Sequence, residues 1–243
     1  MIHLPFIAES GALPKAGDLG RVRLGWEKWQ EAVGHVSDPA LAEFANNLAQ
    51  DIVGRRLLES VFGNSPYLSQ SLLAEIAFLR TLLESDPDST FSNLLNGLEQ
   101  EFGAEDNQKR LMTGLRRAKR QGALLIALAD IASLWPVEKI IENLSIFAET
   151  TLKIALDHLL RQAAKRGDFS LKYPETPARE SGLFIIGMGK LGARELNYSS
   201  DIDLMVLFEN DKLTYTGKKS LSDCFVKLTQ GLIQIIDERT VDG

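Results

Sequence analysis

The sequence predicts a mostly helical α+β protein, an N-terminal helical bundle followed by the first part of an α/β domain. Three observations carry that prediction. Apolar residues from about Leu19 to Leu160 recur every three or four positions, the period of a helix with one buried face. Two short apolar runs, Leu183–Ile186 and Ile202–Phe208, have the length of strands. Helical spacing then returns between Leu221 and Ile236, through Phe225, Leu228, Leu232 and Ile235.

Within the helical part, Leu41, Phe44, Ala45, Leu48 and Ile52 place one stripe on a helix. Leu68, Leu72, Ile76, Leu79 and Leu83 do the same. Leu111 and Leu115 open a third segment that continues through Leu124, Leu128 and Ile131. Pro136 ends it, and the proline ring pushes Trp135 out of helical geometry. Val137, Ile140, Leu144, Phe147, Ala148, Leu152, Ala155 and Leu159 form the longest stripe. Breaks are expected at Asn64-Ser65-Pro66, Ser85-Asp86-Pro87-Asp88 and Phe102-Gly103-Ala104, where turn chemistry collects. Arg161 to Glu180 is polar and carries Gly167, Pro174 and Pro177, as a linker would. Leu183–Ile186, bounded by glycines, reads as a buried strand. The expected layout is a helical domain at 1–160, a linker at 161–182 and an α/β domain at 183–243.

Composition removes several function classes. The 243 residues are comfortable for two domains, and 27 Lys and Arg against 33 Asp and Glu leave a net charge of −6. That balance argues against a non-specific nucleic-acid binder, whose face would be basic. It leaves nucleotides open, because a few local cations or a metal ion suffice for them. The single cysteine, Cys224, cannot form an internal disulfide, which points to a reducing cytoplasm, and it reads as a small buried hydrophobe. His3, His35 and His158 are scattered without metal-ligand spacing, which argues against zinc. The N-terminal stretch MIHLPFIAESGALPKAG lacks the basic start and long apolar core of a secretory signal. No apolar run approaches the about 20 residues that span a bilayer, so a soluble protein is expected. The run Arg116, Arg117, Lys119 and Arg120 reads on spacing as a solvated helix face. Its functional alternative is a surface that steers phosphate or an acidic partner.

The chemistry concentrates between Gly187 and Leu204. In an extended strand, residues two apart point to the same side, so Asp201 and Asp203 converge while Ile202 and Leu204 enter the core. Two aligned carboxylates repel, and a divalent cation resolves the repulsion. Mg²⁺ suits such a pair, because it takes a few carboxylates plus water and phosphate oxygens. Gly187, Gly189 and Gly192 follow a strand at the expected start of a helix, where backbone N–H groups can approach a phosphate, and Lys190 could add a point charge. The same glycines spell G-x-G-x-x-G, but the following helix would be very short and Asn197-Tyr198-Ser199-Ser200 breaks it, so dinucleotide binding comes second. A D-x-D pair alone would read as a solvated turn. The strand and glycine turn upstream favour the metal reading.

The stretch GMGKLGARELNYSSDIDLMVLFE resembles the bifunctional glutamine synthetase adenylyltransferase/adenylyl-removing enzymes, within the DNA polymerase β-like nucleotidyltransferases. The resemblance is specific over Gly187–Phe208 and extends more loosely upstream, where LRRAKRQGALLIALADIA is similar to a helical block of the family. It implies that segment 183–243 is the first part of a polymerase β-like nucleotidyltransferase domain. It further implies that Asp201 and Asp203 are catalytic metal ligands for Mg²⁺. Gly187, Gly189, Lys190, Ser199 and Ser200 fall in the nucleotide- and phosphate-binding segment, the serines capping and orienting the strand start rather than reacting. Lys190 stands where the superfamily usually has serine. Arg116, Arg117, Lys119 and Arg120 gain weight as a basic surface facing the active site. The variant ELNYSSD resembles the adenylyl-removing module, which releases AMP from a tyrosine of adenylylated glutamine synthetase by phosphorolysis, giving ADP.

Implied partners are adenylylated glutamine synthetase, ADP or ATP, phosphate and, through the full-length enzyme, the PII signal protein, in the regulation of nitrogen assimilation. A third carboxylate is expected on a strand beyond Gly243, with Asp242 in the turn before it, so the chain reads as an incomplete piece of a longer enzyme. The rivals are another protein-modifying nucleotidyltransferase of the uridylyltransferase kind and a catalytically silent, nucleotide-sensing module.

Overall fold

The structure, a computed structural model, describes residues 13–198, 200–210 and 212–237. Among these residues the order is α1 (Leu19–Gly34), α2 (Pro39–Gln50), α3 (Ile52–Asn64), α4 (Pro66–Ala74), α5 (Ile76–Glu84), α6 (Pro87–Phe102), α7 (Gln108–Ile131) and α8 (Val137–Lys165). Then follow β1 (Leu183–Met188), α9 (Gly189–Gly192), β2 (Asp203–Phe208) and α10 (Leu221–Asp237). The mostly helical α+β class read from the sequence is the one observed. The chain divides into two compact units, residues 1–94 with 119–140 and residues 95–118 with 141–243.

In the first unit, short acceptor side chains start the helices. Asp18 accepts from the Arg21 amide at 3.0 Å, Asp38 from Ala40 at 2.9 Å, and Ser65 from Leu68 at 3.2 Å. Pro39 and Pro66 open α2 and α4, where a missing N–H removes no helical bond. The breaks expected around Ser65, Asp86 and Gly103 all fall at helix ends. Leu48, Leu57, Leu58, Leu72, Leu79, Leu82 and Leu83 are completely buried. Trp26 meets Phe62 edge-on at 5.7 Å, and Trp135, displaced ahead of Pro136 as expected, meets Phe91 at 6.1 Å.

Two stripes depart from the sequence reading. Ile52 does not close α2; it opens α3 and is exposed, because Asp51 is extended and caps the new helix by accepting from Val53 and Gly54. The stripe from Leu68 to Leu83 is divided between α4 and α5 at Glu75, whose backbone leaves helical geometry (φ −123°, ψ 41°). Glu75 is buried, and its carboxylate accepts from Gln121 Nε2 at 2.8 Å and Arg120 Nη2 at 3.4 Å. A buried carboxylate is costly unless paired, and its partners here lie on α7, more than forty residues away in sequence. Periodicity along one helix carries no trace of them.

In the second unit, β1 and β2 pair antiparallel with Leu183 opposite Phe208 and Met188 opposite Asp203. Helix α10 covers one face: Phe225 packs on Phe208 with ring centroids 4.9 Å apart. Its Gly231 lies so close to α8 that a Cβ there would stand 2.9 Å from Leu159. The other face is open, with Phe184, Ile186, Met188, Met205 and Leu207 between 38% and 44% exposed. The reading of Leu183–Ile186 as a fully buried strand is therefore corrected. An antiparallel pair covered from one side alternates between inward and outward residues. Cys224 is buried in α10, and burial pushes its thiol up, in keeping with a small hydrophobe. His158 is buried in α8 with Nδ1 2.7 Å from the Glu105 carbonyl oxygen, and burial pulls its pKa below the ordinary histidine value. No helix among the described residues is long and apolar enough to cross a membrane.

Candidate active site

The hairpin formed by β1, α9 and β2 brings the sequence-predicted residues together. Asp203 is the first residue of β2, and Asp201 stands two residues earlier, just before the strand. From Asp201 to Phe208 exposure alternates strictly, with the odd-numbered residues outward. Both carboxylates thus lie on the open side of the sheet, while Ile202 and Leu204 are half-buried. Among the described residues neither aspartate makes a hydrogen bond or ion pair, so their oxygens are available to a ligand.

The glycine turn lies against Asp203. Gly189 has φ +54°, a left-handed conformation that disfavours side chains, and a Cβ there would come within 3.4 Å of Asp203 Oδ2. At Gly192 a Cβ would stand only 2.3 Å from the Gly187 carbonyl oxygen, so the turn closes in a space that excludes even alanine. Lys190 is exposed on this turn and makes no ion pair among the described residues. Helix α9 is a single turn of four residues. Ser200 bonds Asn197 through both its amide, at 3.2 Å to the carbonyl, and its hydroxyl, which shapes the approach to Asp201. Ser199 and Asp242 lie outside the described residues.

The donor set fits Mg²⁺: two free carboxylates on one side of a strand, with room for water and phosphate oxygens. Among the described residues, no group of three or more histidine, cysteine, aspartate or glutamate side chains is gathered as a metal site. The basic run behaves unevenly. Arg120 turns onto buried Glu75 within the first unit, whereas Arg117 and Lys119 are exposed and Arg116 is half-buried.

Sequence reasoning missed the anchors of the loop that joins α9 to Asp201. The Arg194 amide bonds the Leu191 carbonyl at 3.0 Å, and the Glu195 amide bonds that of Lys190 at 2.8 Å. This pair of bonds closes a helix in a Schellman turn, whose left-handed position glycine normally holds. Here Arg194 holds it, at φ +58°. Its guanidinium forms a two-pronged pair with Glu149 of α8, Nε at 3.1 Å and Nη2 at 2.8 Å, which holds the Arg194 pKa above its ordinary value. One helical turn earlier, completely buried Ser145 accepts from the Leu196 amide at 3.3 Å. In the sequence, Ser145 and Glu149 look like ordinary helix residues.

Comparison with known proteins now adds the family. The profile described as "Glutamate-ammonia ligase adenylyltransferase" matches residues 55–243. The chain belongs to that family. It is 39% identical over 206 residues to a "Bifunctional glutamine synthetase adenylyltransferase/adenylyl-removing enzyme" of Bradyrhizobium diazoefficiens, covering 85% of this chain and 21% of the relative. A protein of the same description from Rhodopseudomonas palustris is 36% identical over 236 residues, covering 97% of this chain and 24% of the relative. One from Bartonella quintana is 40% identical over 188 residues, covering 76% and 19%. The chain thus spans about a fifth of the length of these members of the glutamate-ammonia ligase adenylyltransferase family.

Proposed function

We propose that this chain carries the first part of an adenylyl-removing site that acts on adenylylated glutamine synthetase. The observation that supports it most directly is the exposed carboxylate pair, Asp201 and Asp203, without hydrogen-bond or ion-pair partners among the described residues and with Asp203 against the Gly189 turn, in a chain of this family. In this reading an oxygen of inorganic phosphate attacks the α-phosphorus of the AMP–tyrosine linkage. The P–O bond to tyrosine breaks, the tyrosinate oxygen leaves and takes up a proton, and ADP forms. Mg²⁺ held by Asp201 and Asp203 would supply charge neutralisation at the phosphoryl oxygens. Lys190 and the backbone of Gly187 and Gly189 hold phosphate, Ser200 orients the strand start, and exposed Arg117 belongs to the basic surface. Catalysis rests on positioning and electrostatics rather than on a covalent intermediate.

The domain layout proposed with this function keeps residues 1–160 as the helical domain, which presents docking surface, and 183–243 as the transferase segment. PII acts through the full-length enzyme, in a reducing cytoplasm. The deciding experiment follows ADP release from AMP-modified glutamine synthetase, with phosphate and Mg²⁺, by the full-length enzyme that contains this chain. Phosphate-dependent ADP release that disappears in Asp203→Asn supports the proposal. Unchanged ADP release in that variant sinks it.

A further inference from the structure

Arg194 presents a conflict between backbone and side chain. A non-glycine residue in the left-handed region is held there only when its surroundings over-determine it, and such positions cluster at functional sites. Glycine at 194 would close the Schellman turn without strain. A left-handed non-glycine residue also follows α7, at Ser133 (φ 56°); what sets Arg194 apart is its two-pronged pair with Glu149. Exposed ion pairs contribute little to stability, and both side chains of this one are about half exposed. Stability alone therefore does not account for the arginine.

Geometry does. The turn stands at the start of the loop that leads to Asp201 and Asp203. Two points of that loop are tied to one face of α8: the Arg194 guanidinium to Glu149, and the Leu196 amide to Ser145. Ser145 is itself fixed, its hydroxyl donating to the Ile141 carbonyl at 2.8 Å. Leu196 is buried beneath the loop. A long rigid helix thus sets where the loop begins. Four residues separate Leu196 from Asp201, and within them Ser200 folds back on Asn197.

We propose that Arg194, Glu149 and Ser145 are positioning residues for the phosphoryl site: they strap the loop to α8 and so hold Asp201 at the spacing from Asp203 that a divalent cation requires. This rests on the reading of the two aspartates as metal ligands. Groups hydrogen-bonded to metal ligands typically contribute about 10- to 100-fold in metal affinity, and a strap that acts through the loop is expected at the low end of that range.

The test is Mn²⁺ titration of the full chain, followed calorimetrically, beside thermal unfolding of the same samples. Arg194→Gly relieves the backbone while cutting the strap; Glu149→Gln cuts it from the other side; Asp203→Asn serves as reference. The expected result is about tenfold weaker Mn²⁺ binding in Arg194→Gly and Glu149→Gln, with no loss of thermal stability in Arg194→Gly, and no binding in Asp203→Asn. Unchanged Mn²⁺ affinity in both strap variants, with binding lost in Asp203→Asn, overturns the positioning role and leaves the metal site standing. Weaker binding accompanied by lower stability in Arg194→Gly makes the strap merely structural and overturns the proposal. Undiminished binding in Asp203→Asn overturns the metal site itself, and the strap's role with it.

Discussion

The helices of the first unit and the hairpin that bears the aspartates bury their apolar residues in different ways. Leu48, Leu58, Leu79 and Leu82 have no exposed surface at all, whereas five apolar side chains of the hairpin remain about two-fifths exposed on one face. The helices owe their place to fully buried apolar faces. The hairpin owes its place to α10 beneath it and to the Arg194–Glu149 and Leu196–Ser145 ties. A two-stranded sheet is marginal without such support. Regions of these two kinds should respond to substitution in opposite senses, the first in stability and the second in chemistry.

Asp203→Asn gives the largest effect and sharpens the contrast most. On the proposed reading, ADP release by the full-length enzyme should fall by about 100-fold, while the melting temperature stays the same because the residue is exposed and makes no hydrogen bond or ion pair among the described residues. Kinetics and calorimetry on one preparation would show both. Leu58→Ala should do the reverse. It removes a fully buried side chain, so urea unfolding should show a loss of about 2–5 kcal/mol.

A third, smaller effect depends on pH. Buried His158 has its folded pKa below the ordinary 6.5. Below that value the unfolded chain binds more protons than the folded one, so stability present above it is lost as the pH falls. His158→Gln should flatten the slope of unfolding free energy against pH below 6.5. A slope that persists in the variant would assign it to other groups. Ile186→Ala should cost least, at most about 1 kcal/mol, because the side chain is 41% exposed and its burial is incomplete. A loss as large as that of Leu58→Ala would show the two regions to be packed alike and break the comparison.

Much of this architecture was legible because it is written locally. The stripe on α8, the breaks at Ser65 and Asp86, and the strand–glycine–strand order around Gly189 all follow from spacing, caps and φ preferences within a few residues. The share of a face between Asp201 and Asp203 follows from the two-residue period of an extended chain. Three features were not legible. Glu75 splits a continuous stripe because Arg120 and Gln121, distant in sequence, reach its carboxylate. Phe184 and Ile186 are exposed because, among the described residues, β1 has a helix on one side only. Arg194 stands where glycine belongs because Glu149 holds it.

By itself, then, the sequence determined the helical periods, the chain breaks and the residue types able to hold a divalent cation, since each depends on side-chain chemistry or on backbone geometry over one or two turns. The tertiary structure decided which stripe is broken, which face of the hairpin is covered and what ties the loop of Asp201 to α8. The first and last depend on contacts between residues 45 positions apart and the second on Phe208 meeting Phe225 from another element, and no pattern within a single element records its partner.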